Sequence, residues 1–183
     1  MVSRRTVLSG LGGTVIGGIG IATLGTETAN AQVFFGSLDI ADRQYEQTSK
    51  LQDVQLRVNA NYKYDSEETP DAWSLKLHAG KDGQFTELTE ERLAPRSNAD
   101  SGTEELEGSL IDTPHYAIEN FQLSESQTEI VETINVKLTF QVFVGEREIA
   151  NASVEDTADL TVTKGEIKAS AQIKGNGEIV LVK

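Results

Sequence analysis

Strict alternation of apolar and polar residues is the feature that most constrains this chain of 183 residues. From Val54 to Tyr64, every second side chain is apolar or aromatic and the side chains between them are polar. The strongest run of the same kind covers Ile134 to Val144. Because successive side chains of a β-strand point to opposite faces, both runs predict strands with one buried face and one solvated face.

Shorter alternating runs flank these two strands, and we find no convincing apolar stripe of helical period. The shorter runs are Trp73 to Ala79, Phe85 to Leu88, Ala158 to Val162, Ile167 to Ile173 and Glu178 to Val182. This pattern predicts an all-β fold, an antiparallel immunoglobulin-like or jelly-roll-like sandwich of about seven to nine strands. Trp73 is its candidate core aromatic residue.

Turn-forming residues support this division into strands. Lys81-Asp82-Gly83 and Gly145-Glu146-Arg147-Glu148 separate consecutive runs, and Gly175-Asn176-Gly177 is typical of a tight hairpin leading into the last strand. Pro70, Pro95 and Pro114 all lie between runs, where proline does not interrupt a ladder.

One segment, residues 89–107, lacks any alternating pattern. It is polar and acidic and contains a proline and a glycine, so we predict a long, exposed and mobile loop within an otherwise regular domain.

The N-terminus resembles a twin-arginine export signal. Arg4 and Arg5 precede a glycine-rich, weakly apolar stretch, and Ala29-Asn30-Ala31 is a small-x-small cleavage site. We therefore expect a signal peptide at 1–31, recognised by the twin-arginine export machinery and cleaved after Ala31. Residues 32–183 would then form a single β-sandwich domain outside the cell or at its surface, without stable membrane insertion. The alternative is that the segment is retained as an anchor, although it is more polar than the roughly 20 apolar residues that anchors use.

Composition fits a domain that folds before export. The chain contains no cysteine, so packing and backbone hydrogen bonds alone must stabilise it. Its formal net charge is −13, which argues against nucleic acid as a partner because such binding depends on lysine and arginine. The acidic residues are spread along the chain. This favours adaptation to molar salt, where charge repulsion is screened, over dedicated cation binding. With the leader, the spread charge resembles secreted proteins of halophilic archaea.

Few residues are typical of catalysis, and we predict neither an enzyme nor a cofactor. The two histidines, His78 and His115, are far apart in the sequence, whereas zinc sites and serine hydrolases need converging partners. Acidic pairs are abundant but typical of solvated surface. Loose calcium binding in the acidic stretch 65–71 stays an alternative. Asn151 begins the glycosylation triplet Asn151-Ala152-Ser153.

An apolar segment follows the expected cleavage site. Its candidate donor-strand residues are Val33, Phe34, Phe35 and Leu38, and two interpretations of the segment compete. The segment is the first strand of the molecule's own sandwich, or it is donated to the open edge of the next subunit and builds a filament. If the segment is donated, deletion of residues 32–40 should leave a folded monomer. If it is a strand of the molecule's own sheet, the deletion should unfold the domain.

Phe35-Gly36-Ser37-Leu38-Asp39 resembles the corresponding segment of camelysin-like and archaeal bundling-pilus fibre subunits. Those families also combine an export leader, a short apolar N-terminal strand and a cysteine-free sandwich. Their usual leader is not of the twin-arginine type. The resemblance implies an exported structural or interaction protein, a filament subunit that polymerises with itself by N-terminal strand donation. The alternative is a secreted glycan- or cation-binding module.

Overall fold

A computed structural model describes residues 20–22, 31–47, 49–95, 97–164 and 177–182. These residues form ten strands and two short 3₁₀ helices, Leu110–Asp112 and Ile118–Phe121. In chain order the strands are β1 Gly20–Ala22, β2 Ala31–Phe35, β3 Arg43–Glu46, β4 Asp53–Ser66, β5 Ala72–Lys81, β6 Gln84–Leu93, β7 Ala99–Ser109, β8 Glu129–Val144, β9 Arg147–Thr163 and β10 Gly177–Val182.

Two five-stranded sheets pack face to face, which confirms the all-β sandwich. In the first sheet, β4 is central: β7 pairs with one side of it, and β2 and β10 share the other side, with β1 beyond β2. The second sheet has the order β3-β9-β8-β5-β6. The pairing is antiparallel as predicted, except that β3 runs parallel to β9.

The predicted alternation builds the core between the sheets. The even-numbered residues of β4 from Val54 to Ser66 are buried, as are those of β8 from Glu132 to Val142. Phe140 lies at the centre and contacts four aromatic rings, at centroid distances between 5.1 and 6.3 Å. Trp73 is one of them and is only 2% exposed, so its predicted core position is confirmed.

The predicted turn after β5 is a two-residue hairpin. Asp82 and Gly83 have φ values of 54° and 79°, and their positive sign is the signature of a type I′ turn. Gly145, with φ of 61°, begins the turn between β8 and β9. The predicted last strand, Glu178 to Val182, is confirmed but begins one residue earlier, at Gly177, and it pairs with β4. The rest of the expected hairpin, including Ile167 to Ile173, lies outside the described residues.

The prediction of a loop at residues 89–107 is wrong. Most of this segment belongs to β6 and β7, which are joined by a short connection around Pro95. Both are peripheral strands in which more than half of the residues are exposed, and only Leu106 on β7 is buried. A strand that buries so few side chains needs no regular apolar alternation, which is why the sequence of this segment resembles a loop.

Candidate functional site

The candidate donor segment is a strand of its own sheet. β2 pairs antiparallel with the C-terminal half of β4, so that Val33 lies opposite Tyr64 and Phe35 opposite Tyr62. The Gly36 N–H extends the ladder by donating to the Asn61 carbonyl at 3.0 Å. Of the two interpretations of this segment, the described chain therefore adopts the first, an N-terminal strand of its own sandwich.

Three of the four candidate donor residues are core residues. Val33 and Phe35 are each 1% exposed and Leu38 is 2% exposed. Phe35 meets Phe140 of the opposite sheet edge to face, with ring centroids 5.8 Å apart. Phe34 alone points to the outer face, where it is half-buried. Side-chain burial therefore fixes the register of this strand, because a slip by one residue would expose Val33 and Phe35.

A shallow groove lies beside Phe34. It has a volume of about 340 Å³, and its lining consists of residues 34–36 of the β2 segment and residues 61–63 of β4. The Lys63 ammonium lies 5.8 Å from the centre of the Phe34 ring, within cation–π distance. The lining thus combines an aromatic face, a cation and the Asn61 amide.

The outer edge of β2 is paired with β1. Gly20 lies opposite Phe35, Ile21 opposite Phe34 and Ala22 opposite Val33. Hydrogen-bonding direction alternates along a strand, and the Gly36–Asn61 bond shows that even-numbered residues bond to β4. The peptide groups of Val33 and Phe35 therefore face β1.

Beyond β2, the chain crosses from the first sheet to the second and is bound to β9 by two carboxylates. The Ile40 N–H donates to Asp156 Oδ2 at 2.7 Å, and the Asp159 N–H donates to Asp42 Oδ1 at 2.8 Å. Residues 36–42 are thus the connection that would have to change conformation if β2 moved.

Asp156 is an unusual residue for its position. It follows Val154 and precedes Ala158 in the inward-facing alternation of β9. Burial raises its pKa above the usual value, and the negative charges of Asp39 and Asp42 add to this effect. Backbone N–H donors act in the opposite direction. This residue was not selected from the sequence, although a carboxylate at a position where the alternation calls for an apolar side chain could have indicated it.

The remaining candidates do not converge on one site. Asn151 is half-buried on β9, and its side-chain amide donates to Glu148. His115 lies within 3.1 Å of the Thr86 hydroxyl, whereas His78 is on β5, where burial lowers its pKa. Ala31 is the first residue of β2. Arg4, Arg5 and Ala29 lie outside the described residues.

The acidic stretch after β4 is engaged in structural contacts. Glu68 accepts two hydrogen bonds from Arg147, at 2.9 and 2.8 Å, and Asp71 accepts one from the Gly145 N–H at 2.5 Å. Within the described ranges, no three acidic or histidine side chains are arranged to hold a metal ion. Within the same ranges, no helix has the length and apolarity needed to cross a membrane.

Comparison with known proteins gives no match: no family model, no curated protein and no solved structure is significantly similar to this chain.

Proposed function

We propose that this chain is an exported structural or interaction protein of the cell surface or extracellular space, which polymerises by exchanging its N-terminal strand. The twin-arginine machinery would carry it as a folded precursor, and cleavage after Ala31 would leave β2 as the first strand. The observation that carries the proposal is β2 itself. It is an apolar, uncharged strand at the N-terminus of the domain, and it fits a site made by β4 and Phe140.

Strand exchange would allow β2 to be donated to a neighbour even though it pairs with β4 of its own chain in the structure. In a filament, β2 of one copy would leave its place beside β4 and occupy the same place in the next copy, making the contacts seen within one chain. Such a head-to-tail contact does not close on itself and therefore propagates. Residues 36–42 would be the hinge, because they connect β2 to the second sheet.

A disulfide across β2 and β4 tests this mechanism directly. Gln32 and Asp65 are exposed and lie opposite each other in the register. In a hydrogen-bonded antiparallel pair, the Cα atoms are about 5.5 Å apart, within the range of a disulfide. Because the chain contains no cysteine, the Gln32→Cys/Asp65→Cys variant would carry only this pair of thiols.

We expect the variant to make no filaments when it is oxidised before assembly and to form filaments when it is kept reduced, both followed by electron microscopy at high salt. Oxidation after assembly should give a ladder of covalently linked chains on a non-reducing gel. The matched control is Lys76→Cys/Glu90→Cys, a facing pair on β5 and β6 far along the sequence from β2, which should not block assembly. Filaments built from chains whose positions 32 and 65 are joined by an intramolecular disulfide would refute strand exchange.

A second candidate function rests on the groove beside Phe34. An aromatic ring next to an amide and a cation suits a glycan, so a secreted glycan-binding module is the alternative. This function predicts a sugar-dependent rise in melting temperature at constant ionic strength, and Phe34→Ala should abolish the rise. Absence of a shift across a panel of surface glycans would exclude it. In both proposals the role is binding or structural, without catalysis or a cofactor.

A further inference from the structure

Peripheral strands of this sandwich differ sharply in charge. β6 carries three glutamates and an arginine, and β7 carries one aspartate and three glutamates. By contrast, β2 has the sequence AQVFF, with no ionisable side chain. Charged side chains on an edge strand discourage pairing with another molecule. For a chain with a net charge of −13, two copies therefore meet less repulsion at β2 than at β6 or β7.

This uncharged edge is covered in the structure by residues of the leader. β1 pairs with Val33, Phe34 and Phe35, and it belongs to residues 1–31, upstream of the expected cleavage site. Cleavage after Ala31 would remove β1 and leave residues 32–35 of β2 paired with β4. The peptide groups of Val33 and Phe35, which face β1, would then lose their partner strand. Unpaired groups on an apolar strand are a template for another strand.

We propose that β1 caps β2 in the precursor, and that leader removal opens the outer edge of β2 for β2 of a second copy. This inference rests on the export and cleavage proposed above but does not require strand exchange. The contact would be a two-fold antiparallel pairing that extends the first sheet from one copy into the next.

The register favours a second copy as the occupant. β1 already runs antiparallel to β2 with Ile21 opposite Phe34. A second β2, related by a two-fold axis through this position, would place Phe34 opposite Phe34 and Val33 opposite Phe35. Val33 and Phe35 would form the hydrogen-bonded pairs, as they do with β1, and the two Phe34 rings would meet on the outer face. Repulsion between the acidic copies would be screened at high salt.

The test uses the full chain with residues 25–30 replaced by the recognition sequence of a site-specific protease. The folded protein is analysed by sedimentation velocity in molar salt before and after cutting, and intact mass after gel filtration shows whether the β1 peptide has left. We expect monomers before cutting and reversible dimers afterwards, with hydrogen exchange at residues 33–35 slowed again in the dimer. Association before cutting, persistence of monomers after loss of the peptide, or retention of the peptide would each overturn the proposal.

Dimerisation of two glutamate variants, one at the proposed two-fold axis and one on β6, provides the matched comparison. Phe34→Glu would place two carboxylates face to face and should keep the cut protein monomeric. Phe85→Glu on β6 is the control, because Phe85 is also half-buried beneath a lysine, with Lys137 Nζ 5.4 Å from its ring centre. It should leave dimerisation unchanged. Equal loss of dimers in both variants would count against the β2 edge.

The oxidised Gln32→Cys/Asp65→Cys variant separates this inference from the proposed filament. Its disulfide holds β2 in its own sheet but leaves the outer edge open. Dimers without filaments in the cut, oxidised protein would support edge docking. Edge docking would fail independently if this protein stayed monomeric while its reduced form made filaments.

Discussion

β2 and β7 lie on opposite sides of the same strand, β4, and are held there by different interactions. β7 has eleven residues, pairs along most of β4 and buries one large side chain, Leu106. β2 has five residues, of which Val33 and Phe35 are almost fully buried. The long strand is thus retained mainly by its backbone ladder, and the short one mainly by its side chains.

This difference gives one sheet a charged side, at β7, and an apolar side, at β2. Carboxylates along β7 keep its outer edge hydrated and repel another acidic chain. The apolar residues of β2 favour burial wherever a suitable site is offered, in the same chain or in another. Any assembly of this protein should therefore depend on β2, and β7 should resist it.

Deleting residues 32–40 should have the largest effect, because it removes the apolar strand and the buried residues that follow it. Val33, Phe35, Leu38 and Ile40 are all buried. Each such truncation costs about 2–5 kcal/mol, so their combined loss rivals the entire stability of a typical domain, about 5–15 kcal/mol. We expect a chain starting at Ala41 to show no cooperative thermal transition by circular dichroism, whereas a chain starting at Gln32 melts cooperatively.

A folded chain starting at Ala41 would contradict the own-sheet packing of β2 and would favour simple donation, in which the segment is dispensable for the monomer. If that chain is unfolded, the monomer needs β2 in its own sheet. Strand donation would then be possible only as an exchange, in which each copy receives the β2 of a neighbour in place of its own.

A pair of alanine substitutions compares the two strands at the level of single residues. Phe35→Ala should destabilise the domain by about 3–5 kcal/mol, because the ring is buried against Phe140 and leaves a cavity. Glu105→Ala on β7 should change stability by no more than about 0.5 kcal/mol, since the side chain is exposed. Urea unfolding at constant salt measures both values. Equal losses would mean that β7 is retained by its side chains as well.

The sequence was sufficient to predict the strands that have one buried face. In β4 and β8, the burial of every second residue leaves a regular pattern of apolar side chains, and Trp73 follows the same rule on β5. β2 was also recognised as an apolar segment. Its partner was not predictable, because the same residues suit a site in the same chain and in a neighbour.

The second half of β6, the whole of β7 and single polar residues were missed for a different reason. β6 and β7 have most of their residues in solvent, so the segment around Glu90 and Glu104 has the composition of a loop. β9 begins at Arg147, well before the alternating run from Ala158 to Val162 that predicted it. Asp156 hydrogen bonds to the Ile40 N–H, and only the tertiary structure brings these two residues together.

Substitution of Asp156 should have the smallest effect on stability. It tests how well the β2 side of the sandwich tolerates a negative charge. Its pKa is raised in the folded chain, chiefly by burial, so the folded state binds the proton more tightly than the unfolded state. This contribution to stability is present at low pH and is lost as the pH rises through the raised folded-state pKa. Asp156→Asn removes the charge and keeps an oxygen to accept from the Ile40 N–H.

We therefore expect Asp156→Asn to be slightly more stable than the natural chain at pH 7, with the difference disappearing below about pH 4, the ordinary pKa of aspartate. Urea unfolding across this range measures the effect, and Glu105→Gln on β7 is the control for removing an exposed carboxylate, which should change stability little. Lower stability of Asp156→Asn at pH 7 would show that the hydrogen bond from Ile40 to an ionised carboxylate outweighs the cost of its burial. An ionised carboxylate would then stabilise the β2 side together with the apolar side chains. The β2 and β7 sides would differ less in their dependence on charged groups than the packing alone suggests.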